Sequence, residues 1–272
     1  MYEVIAEKGF DLNHTKKYKL SIQVSLDGFS FSIIHPGKNR LLALQNDPAK
    51  ISSEKFLGKR FSEWTGKNQI LSKKYAEIKI LFYTNKFTLI PAEIYTKKKG
   101  DDIFRFIFGN QSAGEIKDCY LENIPGHLYF NIPTDLEQAL ENTFPGYELL
   151  HPIAVLDMKI KSRLKKEKNS LILHFYKKSF SLLLYDGKKI QLANDFPFTH
   201  PNDVLFYTIS ILKQYHPVND EVCLLVTGDI KSGDDLHKVL KKYFSDLDFL
   251  LPETDYDQDT FSESLHHHII LL

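Results

Sequence analysis

Residues 20–34 read LSIQVSLDGFSFSII and residues 171–185 read LILHFYKKSFSLLLY, and these two stretches decide the fold. Each begins as an apolar strand, turns within two residues and returns through a strand containing Phe-Ser. Each then reaches a Gly-Lys turn, Gly37-Lys38 or Gly187-Lys188, ahead of a third strand. In the first copy Leu20, Ile22, Val24 and Leu26 alternate with Ser21, Gln23 and Ser25, the period of a half-buried strand. Asp27-Gly28 is a favoured type I′ hairpin turn because both positions tolerate positive φ, and Phe29, Phe31 and Ile33 alternate on the way back. A meander must bury its apolar face against a second layer, so two meanders far apart predict two similar units. A chain of 272 residues suits two domains of about 130 residues each.

Working outward from the first meander, Ser52-Ser53-Glu54 opens a helical pattern that puts Phe56, Leu57, Phe61 and Trp64 on one face. Residues 78–83 (IKILFY) read as a buried strand. An inserted α+β segment is expected at about residues 87–147. It reads as a strand at Phe87–Ile90, a helix near Ile103–Phe108, strands at Ile116–Leu121 and His127–Ile132, and a helix opened by a Thr134/Glu137 capping box. The apolar-then-basic stretch His151–Lys166 is helical in period and joins the halves. After the second meander come a helix at Pro201–Tyr215 and a continuous apolar strand, Glu221–Thr227. A helix opened by Ser232-Gly233-Asp234 and a last strand at Phe249–Leu251 complete the chain. The expected division is residues 1–150, carrying the insert, and residues 151–272.

Three meander strands followed by helix, strand, helix and strand make the ribonuclease H-like order, and two copies make the actin-like ATPase architecture. On the strings LSIQVSLDGFSFSI from Leu20 and FPFTHPNDVLFYTISILKQY from Phe196, the chain resembles a bacterial family known as a domain of unknown function, itself similar to divergent actin-like ATPases. The resemblance runs over nearly the whole chain. The fold class it implies is α/β, with duplicated ribonuclease H-like domains and mixed sheets flanked by helices. Active members of the actin-like group hold ATP between the domains with a phosphate loop in each first hairpin, patterned Asp-x-Gly-Thr/Ser. Backbone N–H groups wrap the phosphate and the Asp holds magnesium or its waters. Here Asp27 and Gly28 are adjacent and followed by bulky Phe29, while the second hairpin offers Lys177-Lys178 with neither Asp nor Gly. Gly228 after the apolar strand resembles the group's adenosine-side glycine turn. The resemblance therefore implies Asp27, Gly28, Lys177, Lys178 and Gly228 as the residues that would meet a nucleotide. The departures remove the ATPase chemistry, so no catalytic residue and no cofactor is assigned, and ATP with magnesium belongs to the alternative reading alone.

The 35 basic and 35 acidic residues balance to zero net charge, which gives no reason to expect nucleic acid or an anionic membrane as partner. The first residues, MYEVIAEKGFDLN, contain no apolar leader core, and no window approaches 18 apolar residues, so no membrane insertion is expected. Cys119 and Cys223, both in apolar strand contexts, read as structural thiols of a reducing compartment, hence a cytoplasmic protein. His266, His267 and His268 on an extended tail would alternate faces and not converge on a metal. Asp255, Asp257 and Asp259 have the opening spacing of a calcium loop, but Thr260 and His266 stand where Gly and Glu are needed, leaving Glu253–Glu263 as a solvated acidic loop. The function implied is a non-catalytic protein that binds a protein partner, or a second copy of itself, through its inter-domain groove or a sheet edge. The alternative is a nucleotide-binding or phosphotransfer enzyme with Asp27, Lys177, Lys178 and Gly228 facing one cleft.

Overall fold

In the computed structural model, which describes residues 4–109, 114–121, 126–164, 168–215, 222–261 and 265–272, the chain builds two sheets of the same internal order. The first half runs β1 (Ile5–Ala6), β2 (Lys19–Ser25), β3 (Gly28–His35), β4 (Arg40–Pro48), α1 (Leu57–Gly66) and β5 (Glu77–Phe82). The insert follows as β6 (Phe87–Pro91), α2 (Lys97–Phe108), β7 (Glu115–Leu121) and β8 (Gly126–Ile132). The half closes with α3 (Thr134–Thr143), β9 (Glu148–Leu150) and α4 (Pro152–Ile160). The second half is β10 (Asn169–Phe175), β11 (Ser179–Asp186), β12 (Lys189–Pro197), α5 (Pro201–Tyr215), β13 (Val222–Gly228), α6 (Asp235–Tyr243) and β14 (Leu247–Phe249), then a 3-10 segment at Leu265–Leu271. Hydrogen bonds order the sheets β1-β4-β3-β2-β5-β9 and β12-β11-β10-β13-β14. Leaving out short β1, each is an antiparallel meander whose first strand continues into two parallel strands. Parallel neighbours need crossover connections, which the helices supply. This is the ribonuclease H-like order, twice.

Strand alternation sorts the second sheet into two faces. Leu171, Leu173, Phe175, Phe180, Leu182 and Leu184 pack under α5 and α6 in their own core. Ile172, Leu183, Tyr185 and Leu225 turn the other way and join the core of the first half. Between the two sheets lie α4 and the 3-10 segment, packed on each other and on β13 and β2. A helix in that position must be apolar on nearly every side, and Ile153, Ala154, Val155, Leu156, Asp157 and Ile160 of α4 are all buried. Buried Asp157 is kept in place by Tyr185, whose hydroxyl donates to it at 2.7 Å. The insert forms a separate three-stranded sheet, β6-β8-β7. Leu128, Phe130 and Ile132 of β8 face the main core, while Tyr129 faces Phe104 of α2.

Several sequence expectations are corrected. The first hairpin turns on Leu26-Asp27, both with negative φ, and Gly28 opens β3 at φ +130°. Glycine is required there because a Cβ would lie 2.4 Å from the Asp47 carbonyl oxygen at the end of β4, so the turn is not type I′. Phe56 falls in a 3-10 turn ahead of α1 and is 42% exposed, so only Leu57, Phe61 and Trp64 form the buried face. Thr134 does not cap α3; the cap position is Pro133, and the neighbouring Asp135 carboxylate accepts from Gly58 N–H of α1 at 3.2 Å. The joining helix ends at Ile160, the last strand sits at Leu247–Phe249, and the histidine tail is 3-10 helical instead of extended. The acidic segment is strapped to the edge of β4, since Asp255 accepts from Leu41 N–H and pairs with Arg40 at 2.8 Å. Glu221, Glu263 and the Lys165-Lys166 pair lie outside the described residues.

The crossing of α1 and α3 gives a direct check. A Cβ on Gly58 would meet the Asp135 carbonyl at 2.3 Å, whereas at Gly66, the last residue of the same helix, it would meet nothing. Gly58→Ala should cost about 1–3 kcal/mol in urea unfolding, while Gly66→Ala should be neutral or gain about 0.4–1 kcal/mol.

Candidate functional site

The inward face of the second sheet changes character within one step along its strands. Cross-strand pairing aligns Ala193, Leu183, Ile172 and Leu225 in an apolar row, and two residues further along aligns Asp195, Ser181, His174 and Thr227 in a polar one. The first sheet repeats the polar row at equivalent positions, as Asn46, Ser30, Gln23 and then Leu81. Gln23 and His174 are each the fourth residue of the two quoted repeats, and Ser30 and Ser181 each the eleventh. Where these rows face each other the filling between the sheets stops, leaving a cleft of about 640 Å³. Gln23, Ser30 and Asn46 form one wall and His174 and Tyr176 the other. The loop after β13, with Asp229 and Lys231, and the rings of His267 and His268 complete it.

The two walls are not satisfied alike. Ser30 Oγ donates to Asn46 Oδ1 at 2.8 Å. The equivalent Ser181 Oγ and both carboxylate oxygens of Asp195 have no hydrogen-bond partner among the described residues, nor does His174 Nδ1. Burial drives the His174 imidazole down to about 3, helped by nearby His267, so it stands neutral. Burial likewise takes His268 down to about 4, with His267 and His266 adding to it. His266 Nε2–H donates to the Ile230 carbonyl at 2.7 Å, and Thr227 Oγ1 donates to the His266 carbonyl at 2.6 Å. The histidine run thus anchors the tail and roofs the cleft. Among the described residues no group of three or more His, Cys, Asp or Glu side chains could hold a metal ion. Burial pushes the Cys119 thiol up to about 12, which makes it a packing group and not a nucleophile.

Of the residues marked from sequence, Asp27, Gly28 and Lys177 line this cleft. Lys178 is exposed and lies off its lining. Gly228 is buried behind it, at φ +81° with its Cβ position 2.2 Å from the Phe175 carbonyl, so its glycine serves the packing of β13 on β10. Its neighbour Asp229 faces the cleft instead. Neither hairpin forms an anion nest. At the first tip, Asp27 N–H is taken by Ser25 Oγ, while Ala49 and Ile51 N–H groups hold the Asp27 and Leu26 carbonyls from behind. At the second, Tyr176 N–H donates to the Ser179 carbonyl and closes the Lys177-Lys178 turn. No residue of either turn takes the left-handed conformation that a nest alternates with. The polar rows are not evident in the sequence; the signal in the second repeat is that His174 and Ser181 are polar where Ile172 and Leu183 of the same face are apolar, while the first repeat carries Ser21, Gln23, Ser30 and Ser32 on that face.

The sequence matches the family model described as "Protein of unknown function (DUF3822)" over residues 7–247. No curated protein matches it significantly. Among solved structures, the chain is similar to a Bacteroides thetaiotaomicron protein with an actin-like ATPase fold and unknown function. That likeness has 21% identity and a TM-score of 0.77, covering 96% of this chain and 98% of the other. It is also similar to a chain of the PilM–PilN type IV pilus biogenesis complex, at 12% identity and a TM-score of 0.62, covering 92% of this chain and 94% of that one. At these identities the likenesses concern the fold: an actin-like, duplicated α/β architecture. Among the described residues no helix is long and apolar enough to cross a membrane.

The asymmetry of the walls predicts unequal responses to the same change. Ser30→Ala, which unmakes the bond to exposed Asn46, should cost about 1 kcal/mol. Ser181→Ala, whose hydroxyl makes no well-formed hydrogen bond among the described residues, should cost less. Urea midpoints of the two variants decide it.

Proposed function

We propose, for a chain that belongs to the DUF3822 family of unknown function, a non-catalytic role in which the actin-like scaffold binds a protein partner. The observation that carries the loss of catalysis is the pair of closed hairpins. An ATPase of this architecture needs free backbone N–H groups at both tips and a carboxylate poised for magnesium. Here the Asp27 and Tyr176 N–H groups are already used. The cations Lys177 and Lys231 along the cleft are matched by Asp27 and Asp229, which leaves no net positive field for a polyphosphate. This reading keeps two domains divided near residue 150.

Support for a protein partner comes from the insert. Phe106 and Ile107 stand side by side on the outer side of α2, whereas Ile103 packs with Phe104 toward Ile90 and Tyr129. Phe106 is 91% exposed and Ile107 51%, a large apolar surface for a helix whose buried side, Gly100 and Phe104, already packs on β8. The similarity to a chain of a protein–protein complex agrees with this reading. The nucleotide alternative is the weaker one, because Lys178 and Gly228 do not line the cleft with Asp27 and Lys177.

Two measurements check the proposal. Mg-ATP, ADP or GTP at millimolar concentration should leave the melting temperature unchanged, whereas a ligand at 100 times its Kd would add about 2.7 kcal/mol. ATP hydrolysis above background that disappears in Asp27→Ala would overturn it. A photo-crosslinking residue at position 106 should give one discrete protein adduct in cells, and the same group at position 66 none. Phe106→Ser should abolish competition for that adduct while changing stability by less than about 0.5 kcal/mol.

A further inference from the structure

Asp195 on β12 is a buried carboxylate at the junction of the two halves with nothing to neutralise it. Five of the nine buried side-chain polar atoms without a partner among the described residues belong to this one place: both oxygens of Asp195, Ser181 Oγ, Tyr176 Oη and His174 Nδ1. Native interiors seldom leave such groups together unpaired. Tyr83, which follows β5, reaches the cluster from the first half. Its ring stacks on Tyr176 with centroids 3.8 Å apart, and its hydroxyl shares a 2.7 Å hydrogen bond with Ser179.

We propose that Tyr83 and Tyr176, closed over Asp195, form a proton-controlled latch that holds the two halves together across the cleft. A proton on Asp195 removes the charge that burial penalises and gives the carboxyl a donor to offer the hydroxyls beside it. Without that proton the charge is better placed in water, which reaches it only when Tyr83 swings away. The groups that face Asp195 give it no cation. From β11 come the hydroxyls of Ser179 and Ser181, and from β10 Tyr176, with neutral His174 one strand further along the row. From the first half comes Tyr83, itself held un-ionised by burial, with Asp195 and more weakly Asp27 adding to the effect. Burial raises Asp195 from 3.8 to about 7, with Ser181 and Tyr83 pulling it part of the way back.

The sign follows from proton linkage. Between about pH 4 and 7 the closed form keeps a proton that the open form releases, so closure weakens as pH rises through that window and levels off above about 7. Each pH unit within it weakens closure about tenfold. His151, His174 and His268, which burial holds at about 4, 3 and 4, act oppositely, destabilising the fold as pH falls below about 6.5. The latch is therefore isolated by comparing variants.

The test is thermal unfolding of the full chain from pH 5.5 to 8.5, with small-angle scattering at pH 6 and 8, on wild type, Asp195→Asn and Tyr83→Ala. The stability of wild type relative to Asp195→Asn should fall about fivefold in equilibrium constant from pH 6 to 7 and stay nearly level above about 7.5. The wild-type radius of gyration should grow between pH 6 and 8, and that of Asp195→Asn should not. Tyr83→Ala, which lets water reach the carboxylate, should be open at both pH values and lack this component. Parallel pH profiles of wild type and Asp195→Asn overturn the proposal. So does a wild-type radius unchanged between the two pH values. Should Asp195→Asn not fold, a Tyr83→Ala profile identical to wild type overturns it as well.

Discussion

The inner faces of the two sheets share a single filling, and most other features follow from where that filling ends. The apolar row Ala193–Leu183–Ile172–Leu225 has α4 and the tail segment to pack against; the next row, Asp195–Ser181–His174–Thr227, is polar and reaches the cleft at His174. Side chains on one face of a strand recur every second residue, so the change from core to site takes a single step. On the first sheet the same face is already mostly polar one step earlier, as Leu44, Ser32, Ser21 and Lys79, before it reaches Asn46, Ser30 and Gln23. The cleft is thus the boundary of the core, and its position is set by packing before any ligand chemistry enters.

Its chemistry departs from the phosphate-binding pattern of the architecture in a consistent direction. The hairpin tips are drawn into main-chain hydrogen bonds, and Gly28 and Gly228 serve close backbone packing against Asp47 and Phe175. What remains is a lining of amides, hydroxyls and a histidine that burial keeps neutral, with the charges of Lys177 and Lys231 balanced by Asp27 and Asp229. Exposed apolar surface appears instead on α2 of the insert, at Phe106 and Ile107. One wall of the cleft is thus satisfied by its own hydrogen bonds, and the most exposed large hydrophobic residue among those described, Phe106, lies away from it.

Strand alternation and the continuous apolar runs at residues 78–83 and 221–227 make both meanders and the parallel strands β5 and β13 legible in the sequence, because period and length are strong there. The two-residue β1 and three-residue β9 are too short to show any period, and they exist through pairing with Leu44 and Ala43, or with Lys79 to Leu81. The first turn was misplaced by one residue because local turn preference favoured Asp27-Gly28, while the close approach of Asp47 decided where the glycine was needed. The tail was read as extended because histidine and isoleucine carry little helical signal; its shape is imposed by the gap it fills. The polar rows were illegible for a further reason. Asp195, Ser181 and His174 become neighbours only once the register of three strands is known.

The tail segment has a consequence for the order of assembly. Its Leu271 carbonyl accepts from Ser32 of β3, 239 residues away in sequence, and its His266 carbonyl accepts from Thr227 of β13. One short piece of chain therefore has a ligature in each half, and it has no seat until both sheets exist. Contacts of such sequence separation carry a large loop-closure cost that local structure must meet first. The tail's seat is therefore shared by both sheets, and its two bonds tie the seam between them.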